Sequence, residues 1–161
     1  MPRAPFQILV LPYRRASDTE ADVWEYAVLR RSDYLCWQGI AGGGEDDETP
    51  LDAAKREAFE EAGLPIASDF MPLQAVCTVP AALFEESNTW DPALYVIPQH
   101  SFGADCTGQT LVLSHEHDAL EWLPYAEAYA RFTYDSNRTA LWELNQRLLG
   151  LGPRGKPITL P

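Results

Sequence analysis

The chain has 161 residues, a hydrophobic fraction of 46% and a formal net charge of −12. Such a length and composition describe one globular domain that buries its own core, and they exclude disorder as the default state. The negative charge excludes a broad basic footprint for nucleic acid or an anionic membrane surface, whereas a small anionic substrate stays admissible if divalent cations bridge it to carboxylates.

Residues 6–13 read as a first strand. Its apolar run is too short to cross a membrane and lacks the pattern of a cleaved leader, so neither is expected. A polar turn is predicted over 15–22, RASDTEAD, then a second strand over 23–31, VWEYAVLRR, where polar and apolar residues alternate. A short third strand is expected over 36–40. Gly42, Gly43 and Gly44 read as a loop that needs backbone freedom. A helix is predicted over 50–62, with Thr49 as N-cap, Pro50 at the first helical position, Asp52 as the acidic half of a capping box and Gly63 as the stop. Further strands are expected over 73–79, 93–98, 110–113 and 119–123, and helices over 125–132 and 137–149, the last ended by Gly150. This is a mixed α/β pattern with helices on the faces of a sheet. One domain is expected over 1–150, followed by a loose tail over 151–161. The three cysteines, Cys36, Cys77 and Cys106, are widely spaced and odd in number. They suggest reduced thiols in a cytoplasm rather than a disulfide framework or a zinc site.

The stretch 42–64, GGGEDDETPLDAAKREAFEEAGL, holds eight carboxylates and two basic residues. On a helix, Leu51, Ala58 and Ala62 share one stripe, flanked by Ala54 and Phe59, which is expected to face the core. Glu57, Glu60 and Glu61 converge on another face. Like charges so close are destabilising unless a cation sits among them, either Arg56 or a hard divalent ion, which favours carboxylate oxygens. A solvated acidic face is the competing reading of the helix alone. Glycines ahead of a helix start, which favours anions, point instead to a site for metal-bridged phosphate.

Written out, the spacing is Gly42-x5-Glu48-x7-Arg56-Glu57-Ala58-x-Glu60-Glu61-x-Gly63-Leu64. It resembles the Nudix box, G-x5-E-x7-R-E-U-x-E-E-x-G-U with U bulky and apolar. Every fixed position matches, although Ala58 is smaller than the usual residue and Asp47 stands where a glycine commonly precedes the first Glu. The resemblance implies a Nudix α/β/α sandwich with a mixed β-sheet between helices. It also implies hydrolysis of a nucleoside diphosphate linked to another group. Carried over by position, Glu57 and Glu61 match the usual metal-binding carboxylates, Glu60 a frequent third ligand and the Ala41 carbonyl a further one. Arg56 and Glu48 match a pair that orients the acids. Glu57 is the first candidate for ligand or base. The implied cofactor is Mg²⁺, with Mn²⁺ as the alternative.

A second segment, LSHEHDALEWLP, places His115, Glu116 and His117 side by side. A zinc site is disfavoured, because on a strand the two histidines share a face while Glu116 points away, and no further ligands stand at useful spacing. The pattern E-H-x4-W-L is similar to one in the dihydroneopterin triphosphate pyrophosphohydrolases, where the Glu binds metal. Glu116 is therefore the expected distal ligand or base. Arg30, Arg31, Trp37 and Gln38, and Ser136, Asn137 and Arg138, are similar to the same group.

Outside these motifs, Arg30 and Arg31 suit phosphate recognition, with Gly43 and Gly44 beside them. Trp37, Trp90 and Tyr134 suit stacking on a flat ring, while Trp122 and Trp142 are expected to pack in the core. Glu85, Glu86 and Asp91 flank a loop expected at the substrate mouth. The leading expectation is a soluble Mg²⁺-dependent pyrophosphohydrolase with a small phosphorylated substrate, a nucleoside triphosphate or an analogue such as dihydroneopterin triphosphate. A dinucleoside polyphosphate or nucleotide-sugar hydrolase is the second enzyme reading, because the box handles only the diphosphate. A non-catalytic nucleotide sensor is the third, disfavoured by the intact acids.

Overall fold

The first strand organises the sheet. In the computed structural model, which describes residues 2–16 and 23–158, β1 (Arg3–Arg15) carries apolar side chains on both faces, Ile8 and Val10 on one and Leu9, Leu11 and Tyr13 on the other. A strand covered by helices on both sides needs that composition. One edge of β1 runs parallel to β6 (Val96–Asp105), from Gln7 beside Gln99 to Tyr13 beside Asp105. The other edge forks. Its early residues pair antiparallel with β4 (Ile40–Glu45), and its last three, Tyr13, Arg14 and Arg15, pair antiparallel with β2 (Trp24–Arg31). β2 in turn pairs with β3 (Trp37–Gln38) and β7 (His117–Pro124), and β5 (Phe70–Pro80) lies antiparallel to β6 at the far edge.

Helices cover the two faces. α1 (Pro50–Ala62) lays Ala53, Ala54, Ala58 and Ala62 on Ile8, Val10, Ala27, Leu29 and Ile40. α2 (Tyr125–Arg131) and α3 (Asp135–Leu148) lay Ala128, Ala140, Leu141 and Leu144 on Leu9, Leu11, Tyr26 and Val28. This is the α/β/α sandwich expected from the sequence.

Three expectations need correction. Residues 42–44 are not a loop but the middle of β4. The strand expected over 93–98 starts later and runs on to Asp105, because Ala93 and Leu94 turn on Asp91 through its side chain and carbonyl. Residues 110–113 are not a strand. Their amides go to a helix instead, with Val112 N–H donating to the Ala62 carbonyl (2.9 Å) and Ser114 N–H to the Glu61 carbonyl (2.8 Å). Carbonyls at a helix C-terminus lack partners within the helix, and this segment supplies them. Most of the turn expected over 15–22 lies outside the described residues. In the tail, Leu151 bridges Pro157.

α3 also secures the edge strand. The β5–β6 register shifts between Pro72 and Val76, and the Gln74 and Ala75 amides freed there both donate to the Glu143 carboxylate at 2.7 Å. Hydrogen bonds to a charged group contribute about 1.5–3 kcal/mol, and here the Ala75 amide is half-buried and the Gln74 amide exposed. Glu143→Ala is therefore expected to destabilise the fold by about 2–3 kcal/mol, read as a lower urea midpoint at constant slope. A loss below 0.5 kcal/mol would show that water replaces the carboxylate.

Candidate active site

α1 begins and ends where its local chemistry dictates. The Thr49 hydroxyl accepts from Asp52 N–H (3.2 Å), the Asp52 carboxylate accepts from Thr49 N–H (3.3 Å), and Gly63 stops the helix at φ 67°. Left-handed backbone favours glycine there.

Arg56 ties this helix to the loop before it and to β4. Its Nε and Nη2 donate to the two Glu48 oxygens (2.8 and 3.0 Å), Nη2 also donates to the Gly43 carbonyl (2.8 Å), and Nη1 donates to Glu57 (2.9 Å) and Glu60 (3.2 Å). The fork on Glu48 is the bidentate geometry that makes arginine–carboxylate pairs strong. It holds Glu48 below the usual carboxylate range, and Glu48 also accepts from Glu45 N–H at 2.9 Å. Glu60 is exposed and stays on the Arg56 side of the helix.

The glycines of β4 serve close approach rather than turning, since none of them has a positive φ. A Cβ on Gly42 would sit 2.2 Å from the Glu57 carboxyl carbon, and one on Gly43 would sit 2.4 Å from the Arg3 guanidinium carbon. Successive residues of a strand face opposite ways. β4 is thus clasped by Glu57 from one side and by Arg3 from the other. Arg3 carries no motif signal and was not legible in the sequence.

Glu61 lies deeper than the helical wheel suggested. It is about 20° round the helix from Ala54, inside the alanine stripe, and only 3% exposed. Phe59, expected in that stripe, is 53% exposed, and Ala53 is buried in its stead. Burial first, then the charges of Glu57 and Glu116, push the Glu61 carboxyl up to about 9. One of its oxygens has no hydrogen-bond partner, and His117 Nδ1 stands 3.6 Å away, too far for a hydrogen bond. Burial first, and then Arg31, lower the His117 pKa. Both shifts favour neutral partners. Glu57, beside them, is also raised by burial, against the pull of Arg56.

Glu116 reaches this group from far along the chain. The docking of residues 112–114 on the end of α1 delivers it. His115 and Glu116 stand in a turn rather than on a strand, so strand alternation does not apply to them. His117 is buried beside Glu61 while His115 is exposed. Arg31 joins from the end of β2, in the fields of Glu61 and Glu116 and chelated by Asp33 at 2.6 and 2.7 Å.

The structure thus brings Glu57, Glu61, Glu116 and Arg31 together, with Arg56, Glu48 and Glu60 at their flank and Ala41, Gly43 and Gly44 on the adjoining strand. It does not bring Arg30 and Trp37 there. They lie on the face covered by α2, with Arg30 paired to Asp118 (2.7 Å) and the Trp37 ring between the guanidinium groups of Arg30 and Arg131. Trp90 donates its ring N–H to the Arg3 carbonyl (2.7 Å). Trp122 packs against the core, but Trp142, expected there too, is 42% exposed. Glu85 and Glu86 are exposed on a short turn that follows Phe84. Among the described residues, no three acid, imidazole or thiol groups converge on one point.

Where the edge of β1 forks, a cavity of about 580 Å³ opens, linked to the acids through Arg31, which lies in the fields of Glu61 and Glu116. Arg31 and Ala41 line its acidic end, and Gln7, Gln38, Gln99 and Tyr134 line the rest with several apolar neighbours.

A sheet between helices, with acids on one helix near a cavity of ligand size, can hold a cation and a small anionic ligand. The family model described as NUDIX domain matches residues 15–143. A Listeria monocytogenes protein assigned to the NUDIX hydrolases has a similar structure, at 36% identity and a TM-score of 0.79 over 97% of this chain and 100% of that one. The E. coli dihydroneopterin triphosphate pyrophosphohydrolase is 26% identical, with a TM-score of 0.68 over 89% of this chain and 97% of that one. A C. elegans Ap4A hydrolase, 18% identical, shares the fold at a TM-score of 0.69 over 92% and 100%. The chain belongs to the Nudix family and is a Nudix pyrophosphohydrolase. No helix among the described residues is long and apolar enough to cross a membrane.

Two outcomes are expected. Glu61 keeps a proton in the folded chain between its ordinary value of 4.5 and about 9, and gives it up on unfolding. The unfolded chain binds fewer protons in that window, so metal-free stability falls as pH rises through it. In Glu61→Gln this fall is expected to shrink by more than half in urea titrations at successive pH values. An unchanged slope would exclude Glu61 as its source. Gly42→Ala must displace Glu57 or β4, and a displacement near 1 Å lowers turnover about 100-fold. Turnover close to wild type in a folded Gly42→Ala protein would show that the placement of Glu57 is not critical.

Proposed function

We propose that this protein hydrolyses a diphosphate linkage in a nucleoside triphosphate or a related compound such as dihydroneopterin triphosphate, with Mg²⁺ as its cofactor. The observation that carries this reading is the buried Glu61 carboxyl, with an unpartnered oxygen and two further acids, Glu57 and Glu116, in its field. Three carboxyl groups in one another's fields, one of them buried, are unfavourable alone and become favourable around a hard cation, and apart from the buried His117 imidazole the donors at hand are oxygens.

Glu57, Glu61, Glu116 and the Ala41 carbonyl would hold the cation. When bound, it offsets charge on the diphosphate oxygens and makes a water more acidic. Glu57 or Glu116 takes the proton of the water that attacks one phosphorus in line. Arg56, fixed on Glu48 and the Gly43 carbonyl, orients Glu57. Arg31 lines the cavity, where its charge suits phosphate oxygens and the Nη1 edge left over by Asp33 is the one that would reach them. The 26% identity to the E. coli pterin enzyme supports the triphosphate reading. Three free thiols fit work in a reducing cytoplasm.

Purified protein with Mg²⁺ is to be offered nucleoside triphosphates, dihydroneopterin triphosphate, diadenosine polyphosphates and nucleotide sugars, with product release as the readout. Turnover of a triphosphate is expected to fall at least 100-fold in Glu61→Gln and Glu116→Gln, since even the outer partners of a metal ligand are worth about 10–100-fold. Preference for a dinucleotide or a sugar nucleotide would replace the proposed substrate class. Full activity in Glu116→Gln would remove the distal acid from the site.

A further inference from the structure

Of the three acids in one another's fields, Glu57 and Glu61 ride on α1, whereas Glu116 stands in a turn between residues 110–114 and β7. Groups on loops are held less precisely than groups on helices or strands, and a ligand set has to stay within about 0.5 Å of its working geometry. The polar groups of the Glu116 backbone are nevertheless both engaged. Its N–H donates to the Ser114 hydroxyl (3.3 Å), and its carbonyl accepts from Ser32 N–H (2.9 Å). The Ser32 hydroxyl is shared between the His115 and Glu116 carbonyls, at 2.9 and 3.0 Å.

Each serine is anchored in its turn. Ser114 N–H donates to the Glu61 carbonyl (2.8 Å), so Ser114 hangs from the backbone of a second acid of the site. Ser32 follows Arg31 and opens the turn between β2 and β3. Arg31 closes that turn with its own peptide groups: its N–H donates to the Cys36 carbonyl (2.9 Å), and its carbonyl accepts from Leu35 N–H (3.1 Å). Asp33 chelates the Arg31 guanidinium and accepts from Tyr34 N–H (2.8 Å). Leu35 sits at φ 54°, left-handed backbone that is rare for a bulky residue. Such residues persist where their surroundings enforce them, and they cluster at functional sites. A strap of hydrogen bonds thus runs from Glu61 through Ser114 to Glu116, and on through Ser32 to the arginine that lines the cavity. Ser32 is exposed, so its hydroxyl is not there to fill the core. What it fixes is the Glu116 backbone.

We propose that Ser32 and Ser114 are positioning residues for Glu116: together they set where its carboxylate stands relative to those of α1, and so the affinity of the site for a divalent cation. The inference rests on the pyrophosphohydrolase reading for the role of the acids. It goes further in giving the turn between β2 and β3, which carries no motif, a part in the site.

Metal binding separates the two without turnover. Mn²⁺, followed by the resonance signal of the free ion, is titrated into wild type, Glu116→Gln, the double variant Ser32→Ala/Ser114→Ala and the triple variant that combines all three changes. Each protein is first checked for an unchanged Tm, and hydrolysis of a nucleoside triphosphate is measured beside it. Outer partners of a metal ligand are worth about 10–100-fold, so the double variant is expected to raise the Kd for Mn²⁺ about 10-fold. Because the serines act through Glu116, the same two changes are expected to cost less than about 2-fold in the Glu116→Gln background. Ser32→Thr/Ser114→Thr keeps both hydroxyls and is expected to bind like wild type. If Glu116→Gln loses Mn²⁺ affinity while the serine changes cost nothing, or add their cost in full, the strap is overturned and the hydrolytic reading stands. Wild-type affinity in Glu116→Gln removes Glu116 as a ligand and overturns the strap with it. A non-additive loss of Mn²⁺ affinity without turnover of any triphosphate upholds the strap and overturns the hydrolytic reading.

Discussion

The close approach of α1 to the sheet is the constraint on which the site depends. Ala53, Ala54, Ala58 and Ala62 present almost no side chain, so the helix axis comes near β4, and β4 answers with glycine at position 42. Larger residues on either side would part the two elements. At this separation Glu57 fits against bare backbone, Arg56 reaches the Gly43 carbonyl and Glu61, at the centre of the stripe, is almost fully buried. Close packing here creates an electrostatic strain that tight packing elsewhere would avoid.

The charges around α1 fall into two groups with different partners. Arg56 neutralises one side, where Glu48, Glu57 and Glu60 share its N–H groups. That network is partly buried and bidentate, so it escapes most of the screening that makes surface ion pairs weak. On the other side Glu61 and Glu116 lie in the field of Arg31, two of whose N–H groups are already taken by Asp33, and the neighbouring His117 is held neutral by burial. The imbalance is local. It would not follow from the net charge of −12, which describes the whole surface. The acids on one side of the helix are thus charge-balanced by Arg56, and those on the other are not.

How much of this is legible in the sequence depends on how local the determinants are. The bounds of α1 were readable to the residue, because Thr49, Asp52 and Gly63 act within one turn of the ends. The spacing of the acids was readable for the same reason. Gly42, Gly43 and Gly44 misled, since glycine signals both freedom and room, and here the room is for side chains 15 residues later and 40 residues earlier. The end of β6 and the fate of residues 110–113 were not readable, because partners far along the chain decide them. The helical wheel separated acids from alanines too cleanly: it gave directions from the axis but not where the sheet would lie, and that decides between Phe59 and Glu61 for the inside. Arg30 and Arg31 look equivalent in sequence, yet strand alternation sends Arg30 to the α2 face with Tyr26 and Val28, and Arg31 to the α1 face with Ala27 and Leu29, where the acids lie.

This division follows the division of labour in the molecule. The acids of the box sit on one loop, one helix and the strand before them, so their geometry closes over about two dozen residues, and only Glu116 and Arg31 join them from elsewhere. The cavity is assembled differently. Gln7, Gln38, Gln99 and Tyr134 come from β1, β3, β6 and the start of α3, and they meet only because the edge of β1 divides between β4 and β2. A change of loop length or register in any of these elements would reshape the cavity without touching the acids of the box. Chemistry and selectivity can therefore vary independently in this fold, which is why the box announces the reaction and leaves the substrate to be read from the fork.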